Sequence, residues 1–268
     1  MRKDLLAGCA AALIAATTPT AATAGPDPAD IHPVLELRQY KIVAGQRDAF
    51  VALFEREFVE SQEALGMRLV GQYRDLDDPD RFVWLREFPD MAHRGTALTS
   101  FYTGPVWQAH RGEANPMLDD NDNVLLLKPV AGRDFAPPAS RAPTGAASTP
   151  HGMVVATIYY LWKDPNESFA GFFETRMRPA LEAAGMPVLG AFVPETQANN
   201  FTRLPVRQGE KVFVWLTRVA DQASYVRAQA RLRALPAWRG AVAAGLADAE
   251  ERPSQILRLD PTPRAALR

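Results

Sequence analysis

Hydrophobic and polar positions alternate from Val34 to Ile42, so this stretch reads as a half-buried strand. Phe50, Leu53, Phe54 and Phe58 follow at helical spacing, and Gly66 is placed to end that helix as a C-cap. Met67 to Arg74 predicts a second strand, Asp77-Asp78-Pro79-Asp80 a turn, and Arg81 to Phe88 a third strand. Pro89-Asp90 opens a helical region that Gly104 breaks and Pro105 restarts from a first-turn position. Val124 to Lys128 closes this β-α-β-β-α-β series, and Val154 to Leu161 opens the next.

The second series is a diverged copy of the first. Phe82-Val83-Trp84-Leu85 recurs as Phe213-Val214-Trp215-Leu216, and Pro105-Val106-Trp107 recurs at the same offset as Pro236-Ala237-Trp238. Upstream, Phe54-Glu55 and Gly66-Met67 recur as Phe173-Glu174 and Gly185-Met186 at a shorter shared offset. The extra residues fall in one place, the polar segment between Val193 and Lys211, as duplication followed by growth of one loop would give. The expected organisation is a signal peptide (1–24), repeat one (33–130), an extended Pro/Ala/Ser linker (131–150) and repeat two (151–262). The fold class is α+β: two tandem ferredoxin-like repeats, each a sheet with helices on one face. Their bare faces are expected to pack sheet to sheet as a barrel-like intramolecular pseudo-dimer. A pseudo-dimer satisfies itself, which predicts a monomer or weak homodimer.

On the first strand Leu35 and Leu37 share one face, while Glu36, Arg38 and Tyr40 share the other. The apolar pair is expected under the helices and the polar trio in the barrel interior, joined by Gln72 and Arg86. Repeat two differs: Ala156 and Ile158 are taken as the counterparts of Glu36 and Arg38, Ala191 of Gln72 and Thr217 of Arg86, while Tyr160 is matched to Tyr40. This asymmetry predicts one polar pocket on the side of repeat one, lidded by a more apolar repeat two. Pairing of Glu36 and Arg38 with each other, or with Arg86 and Glu87, gives a purely structural account of the same residues. Trp84, Trp107, Trp215 and Trp238 occur in both copies, which favours core roles, with Trp84 also a candidate pocket wall.

Arg2 and Lys3, an apolar Ala-rich run from Leu5 to Ala16 and the A-x-A pattern Ala22-Thr23-Ala24 predict a cleaved signal peptide and a periplasmic or secreted protein. The run is too short for a stable membrane anchor, so no transmembrane segment is expected after cleavage. Leu6-Ala7-Gly8-Cys9 offers a competing lipoprotein reading, although the apolar stretch that a lipobox should follow comes after it. Cys9 is the one cysteine, so cleavage after Ala24 leaves neither disulfide nor thiol nucleophile. With 30 Lys plus Arg against 31 Asp plus Glu, no basic bias points to nucleic acid.

Glu36-Leu37-Arg38-Gln39-Tyr40 with Gly45, and Phe82-Val83-Trp84-Leu85-Arg86-Glu87-Phe88, resemble motifs of the NIPSNAP family. The resemblance runs through residues 33–130 and more loosely through 152–262. It implies the dimeric α+β barrel superfamily, which includes cofactor-free monooxygenases, haem-handling enzymes and small-molecule isomerases. A helical or loop histidine meets the cleft in several such relatives. That makes His110, whose counterpart is Ala241, the candidate general base or haem ligand, with Tyr40 as its catalytic companion. The simpler account of His110 is a surface position beside Arg111 on a helix end, since no second ligand is spaced from it. His93 lies at a helix start, and His32 and His151 lie in flanking segments.

No GxSxG, HExxH, Walker or GxGxxG pattern occurs. Asp119-Asp120-Asn121-Asp122-Asn123 invites calcium, yet lacks the spaced Gly and distal Glu of an EF-hand loop. Asn200-Phe201-Thr202 fits a glycosylation acceptor. Three functional expectations follow. The first is a pocket for a small, partly apolar molecule whose polar end Arg38 and Tyr40 orient, with Glu36, Gln72, Trp84 and Arg86 around it and no cofactor. The second is a cofactor-free monooxygenase or haem-dependent oxidoreductase using His110, Tyr40 and Trp84. The third is an interaction scaffold presenting Arg227, Arg231, Arg233 and Arg239 to an acidic partner.

Overall fold

The computed structural model describes residues 33–130, 141–147, 152–166 and 168–268. The signal-peptide and Cys9 readings, His32, His151 and most of the linker lie outside these residues.

Repeat one runs β1 (Val34–Ile42), α1 (Arg47–Leu53), a π-helical turn (Phe54–Phe58), α2 (Glu60–Glu63), β2 (Arg68–Asp75), β3 (Arg81–Phe88), α3 (Met91–Thr103), α4 (Pro105–Ala114), the short β4 (Leu118–Asp120) and β5 (Val124–Pro129). Repeat two follows the same plan: β6 (Met153–Leu161), α5 (Phe169–Phe172), a π-helical turn (Phe173–Met177), α6 (Arg178–Ala183), β7 (Val188–Pro194) and β8 (Val212–Val219). It then continues through α7 (Gln222–Ala234), a π-helical turn (Trp238–Val242), α8 (Ala243–Ala249) and β9 (Glu250–Pro261). The punctuation follows local chemistry. Gly66 and Gly185 end the first helices of the two repeats at φ +83° and +91°, a conformation that penalises side chains. Asp90 and Asp221 cap α3 and α7 by accepting from the His93 and Ser224 amides. Pro105 occupies the first turn of α4, after Gly104 leaves the helical conformation.

Each repeat orders its strands in ferredoxin-like fashion, β5-β1-β3-β2 and β9-β6-β8-β7. Antiparallel pairings β2–β9 and β5–β7 join the two sheets at both edges, closing an eight-stranded barrel with the helices outside. The barrel interior is apolar, with Leu35, Leu37, Leu85, Ile158 and Leu216 in its core. The C-terminal segment seals it: Ala265 is buried in that core, Tyr73 donates to the Leu267 carbonyl at 3.0 Å, and the Leu267 amide donates to Val70 O at 2.7 Å.

Two expectations are corrected here. Leu35 and Leu37 point into the barrel, while Glu36, Arg38 and Tyr40 face the helices of repeat one. An eight-stranded barrel is just wide enough to be filled by side chains, so every strand contributes apolar residues inward. The charged cluster is housed on the outer face of the sheet, under the helices. The alignment of the two repeats' first strands is also shifted by one residue. The sheet sets Glu36 opposite Arg86, Arg38 opposite Trp84 and Tyr40 opposite Phe82; it sets Val155 opposite Thr217, Thr157 opposite Trp215 and Tyr159 opposite Phe213. Val155, Thr157 and Tyr159 are therefore the counterparts of Glu36, Arg38 and Tyr40. Ala156, Ile158 and Tyr160 face the barrel interior instead.

A buried charge cluster behind an aromatic cavity

Glu36, Arg38, Arg86 and Arg94 are fully buried between β1, β3 and α3. Glu36 Oε2 accepts from Arg38 Nη1 at 3.0 Å and from Arg86 Nε and Nη2 at 3.0 and 2.5 Å. Its Oε1 accepts from Arg94 Nε at 2.8 Å; Arg94 Nη2 lies 2.7 Å away at an angle unsuited to a second hydrogen bond, so that contact is ionic. Burial would raise the Glu36 pKa, but the charges of Arg86, Arg38 and Arg94 outweigh it and hold the carboxyl well below the usual carboxylate range. Burial, together with Arg86 and Arg38, lowers the Arg94 pKa against the pull of Glu36. Among the described residues Glu36 is the only carboxylate in ion-pair contact with these three guanidinium groups, so the cluster carries an excess of positive charge.

The remaining donors tie this cluster to its surroundings. Arg86 Nη1 donates to Gln62 Oε1 at 2.6 Å, and Gln62 Nε2 donates to the Phe58 carbonyl at 2.6 Å. Arg38 Nε donates to the Tyr40 hydroxyl at 2.9 Å, which leaves that hydroxyl its own proton to donate. Arg38 Nη2 is buried with no hydrogen-bond partner among the described residues. The Arg38 guanidinium carbon lies 5.3 Å from the Tyr40 ring centre and 5.5 Å from that of Trp84, so this orphan donor sits behind the wall those rings form.

In front of that wall is a cavity of about 220 Å³. Tyr40, Trp84 and Gln62 form its polar end, and Phe50, Phe54, Phe58 and Phe101 its sides. The π-helical turn brings Phe54 and Phe58 to the same side, where their rings meet edge-on at 6.0 Å. Tyr102 and Trp107 complete the outer wall. Burial, with Tyr40 close by, pushes the Tyr102 phenol up to about 12, so it stays a protonated donor near neutral pH.

The cover comes from repeat two. The loop between β7 and β8 crosses to repeat one, where Phe201 stacks on Tyr102 (5.6 Å, 24° between planes) and Leu204 packs beside it. Asn199 and Asn200 Oδ1 accept from Arg94 Nη1 at 3.0 and 2.8 Å, and Asn200 Nδ2 donates to the Met91 carbonyl. Both ends of the Asn200 amide are thus engaged at the glycosylation-like tripeptide. A β-carbon at Gly95 would stand 2.8 Å from Asn200 Nδ2, so the glycine allows this close approach of loop to helix. Arg111 and Arg203 flank the mouth, both exposed.

The other sequence-derived candidates lie elsewhere. Gln72 is buried but meets Arg141, at 3.5 Å, rather than the cluster. His110 turns Nε2 to Glu57 (3.3 Å) and Nδ1 toward Glu113 (3.9 Å), and it is absent from the cavity wall. Among the described residues no group of three or more His, Cys, Asp or Glu side chains is placed to hold a metal ion; Asp119–Asn123 forms the end of β4 and the turn before β5. The α7 arginines are each bonded within repeat two: Arg227 to Ser224, Arg231 to the Ala184 carbonyl and Arg233 to Gln229. No described helix is long and apolar enough to cross a membrane.

Arg94 and Gln62 were missed by sequence reasoning. At the offsets that relate Trp84 to Trp215 and Phe54 to Phe173, they become Tyr225 and Leu181, the same loss of polarity seen from Glu36 to Val155 and from Arg86 to Thr217. Repeat two buries Val155, Leu181 and Tyr225 in an apolar cluster where repeat one holds charge. The polar construction belongs to one repeat alone.

Residues 35–131 match the NIPSNAP family. The NIPSNAP match thus spans the repeat that carries the cluster, from β1 to just beyond β5. A NIPSNAP-like domain protein from Burkholderia xenovorans is 25% identical over 41% of this chain and 96% of its own, with a TM-score of 0.37. Two larger structures share the whole architecture. A monooxygenase candidate from Fusobacterium nucleatum has a TM-score of 0.57 at 10% identity over 86% of this chain and 93% of its own. One from Lactobacillus acidophilus scores 0.56 at 13% identity over 88% and 97%. These neighbours show the fold of the two-repeat barrel. No curated protein matches the chain.

Proposed function

We propose that this chain is an exported, two-repeat NIPSNAP-type protein that binds a small, partly apolar molecule in the aromatic cavity of repeat one, with Arg38 and Tyr40 orienting the molecule's polar end. The observation that carries this reading is the pairing of an aromatic cavity with a buried cationic cluster found in one repeat and replaced by uncharged residues in the other. A cluster needed only to fold the unit would be expected in both. In Arg38→Ala and Tyr40→Phe proteins, retention of co-purified small molecules by native mass spectrometry, and the melting shift those molecules cause, should both fall. Unchanged retention and an unchanged shift in both variants would refute the assignment. The export component rests on residues 1–24, and a purified periplasmic chain beginning at Gly25 is the expected product.

The shared architecture of the two monooxygenase candidates favours a second reading, cofactor-free oxygenation of an electron-rich aromatic such as a quinol. The cavity offers the Tyr40 hydroxyl, held by Arg38, as the group that would meet a substrate oxygen. Oxygen uptake with quinol substrates, lost in Tyr40→Phe, supports it; no turnover across such a panel contradicts it. If a haem were the cofactor, His110 would have to leave Glu57 to reach the cavity, and a Soret band in the purified protein is the direct test.

A further inference from the structure

Three guanidinium groups share one carboxylate in a fully buried site, and Arg38 Nη2 has no partner among the described residues although it stands behind the cavity wall. Buried charge is costly unless paired, because protein dipoles replace water poorly. Repeat two shows that the fold does without the cluster. The outer arginines add to the imbalance: Arg111 and Arg203 line the mouth, and neither makes a salt bridge among the described residues. Cationic side chains thus stand behind the Tyr40 end of the cavity and at its mouth, while aromatic rings make up much of its wall.

We infer that the occupant is an aromatic acid, whose anionic oxygen lies at the Tyr40–Arg38 end and supplies the negative charge that the cluster lacks. This deepens the proposed binding function and rests on it. The Tyr40 hydroxyl, polarised by Arg38 Nε at 2.9 Å, donates to that oxygen, with the free Arg38 Nη2 behind it. The rings of Phe54, Phe58 and Tyr102 hold the planar body by edge and face contacts. Phe201, carried on the loop from repeat two, closes over it. Carboxylate and phenolate satisfy the same donors, so the class is defined by one anionic oxygen on a planar ring system.

Calorimetric titration of the full mature protein with 2-naphthoate and with 2-naphthylmethanol separates charge from shape, since the two share a ring system. The acid should bind at least about tenfold more tightly than the alcohol, as expected when hydrogen bonds to a charged group replace those to a neutral one. That preference should shrink in Arg38→Gln and survive in an Arg111→Gln/Arg203→Gln double variant. Equal binding of the two compounds, or tighter binding of the alcohol, overturns the acid inference and leaves the pocket reading intact. Binding of neither compound up to its solubility overturns both. A preference lost in the double variant but retained in Arg38→Gln would place the acid at the mouth and overturn its assignment to Tyr40 and Arg38. Should Arg38→Gln fail to fold, Tyr40→Phe, whose ring remains packed against Phe50 and Trp84, carries the same comparison.

Discussion

Glu36 is the residue on which the site turns. Its two oxygens hold Arg38, Arg86 and Arg94 together, and removing it leaves three buried cations with no counter-ion. Glu36→Gln should therefore cost about 3–5 kcal/mol of stability, the usual penalty for breaking a buried ion pair from one side. Urea unfolding checks this, and a loss below about 1 kcal/mol would contradict the described pairing. The same residue sets an acid dependence. Its pKa is depressed in the folded state, so its stabilisation is complete above the unfolded value near 4.5 and is lost as pH falls from there toward the folded value. Urea midpoints measured from pH 6 to pH 3 should fall less steeply in Glu36→Gln than in the parent. These residues were partly legible in the sequence. Glu36, Arg38 and Arg86 could be singled out because the second repeat lacks them, and Tyr40 because it shares a strand face with Glu36 and Arg38. Arg94 and Gln62 lie on helices whose polar residues ordinarily face water, and only comparison of the repeats marks them.

At the scale of elements, strand β1 shows why alternation alone gave the wrong inside and outside. Both of its faces are buried, one by the barrel core and one by helices, so polarity could not say which face was which. The number of strands decides, through the width of the barrel. Applying the offset of Phe54 and Gly66 to this strand would have aligned Tyr40 with Tyr159 from the sequence alone. The insertion between Val193 and Lys211 was visible as extra length, but its destination was not, because a loop's landing site depends on tertiary geometry. It lands on the other repeat, where Phe201 is 9% exposed against Tyr102. Two element-scale outcomes follow. Phe201→Ala should speed release of a bound probe at least about tenfold in stopped-flow fluorescence, since truncating a buried aromatic typically costs several kcal/mol and this one serves as cover. An unchanged off-rate would mean that the loop does not gate the cavity. Gly95→Val should displace Asn200 from Arg94 and Met91, lowering the melting temperature while leaving the barrel's far-ultraviolet dichroism intact.

For the whole molecule, two units of one plan on a single chain close into one barrel, an arrangement the sequence suggests through matched aromatic motifs at two offsets. Both edges of each four-stranded sheet are used, β2 with β9 and β5 with β7, which removes the exposed edges that would template further pairing. Light scattering coupled to gel filtration should accordingly report a monomer at micromolar concentration; a stable dimer would contradict that expectation. The C-terminal segment was not foreseen, because Pro261 to Arg268 carries no periodic pattern. It nevertheless fills one end of the barrel and fastens Arg264 to Glu55 and Glu60. Ending the chain at Thr262 should lower the melting temperature by roughly 5–10 °C, at about 2–4 °C per kcal/mol for a protein of this size. The aromatic cavity lies outside the barrel, between its sheet and the helices of repeat one, under a loop lent by repeat two, and it is there that the ligand is proposed to bind. A crystal structure of the purified protein soaked with 2-naphthoate tests that placement. Density is expected between Tyr40, Trp84, Tyr102 and Phe201, with the carboxylate toward Tyr40. Density inside the barrel among Leu37, Ile158 and Leu216 would contradict it, as would an empty cavity at saturating ligand.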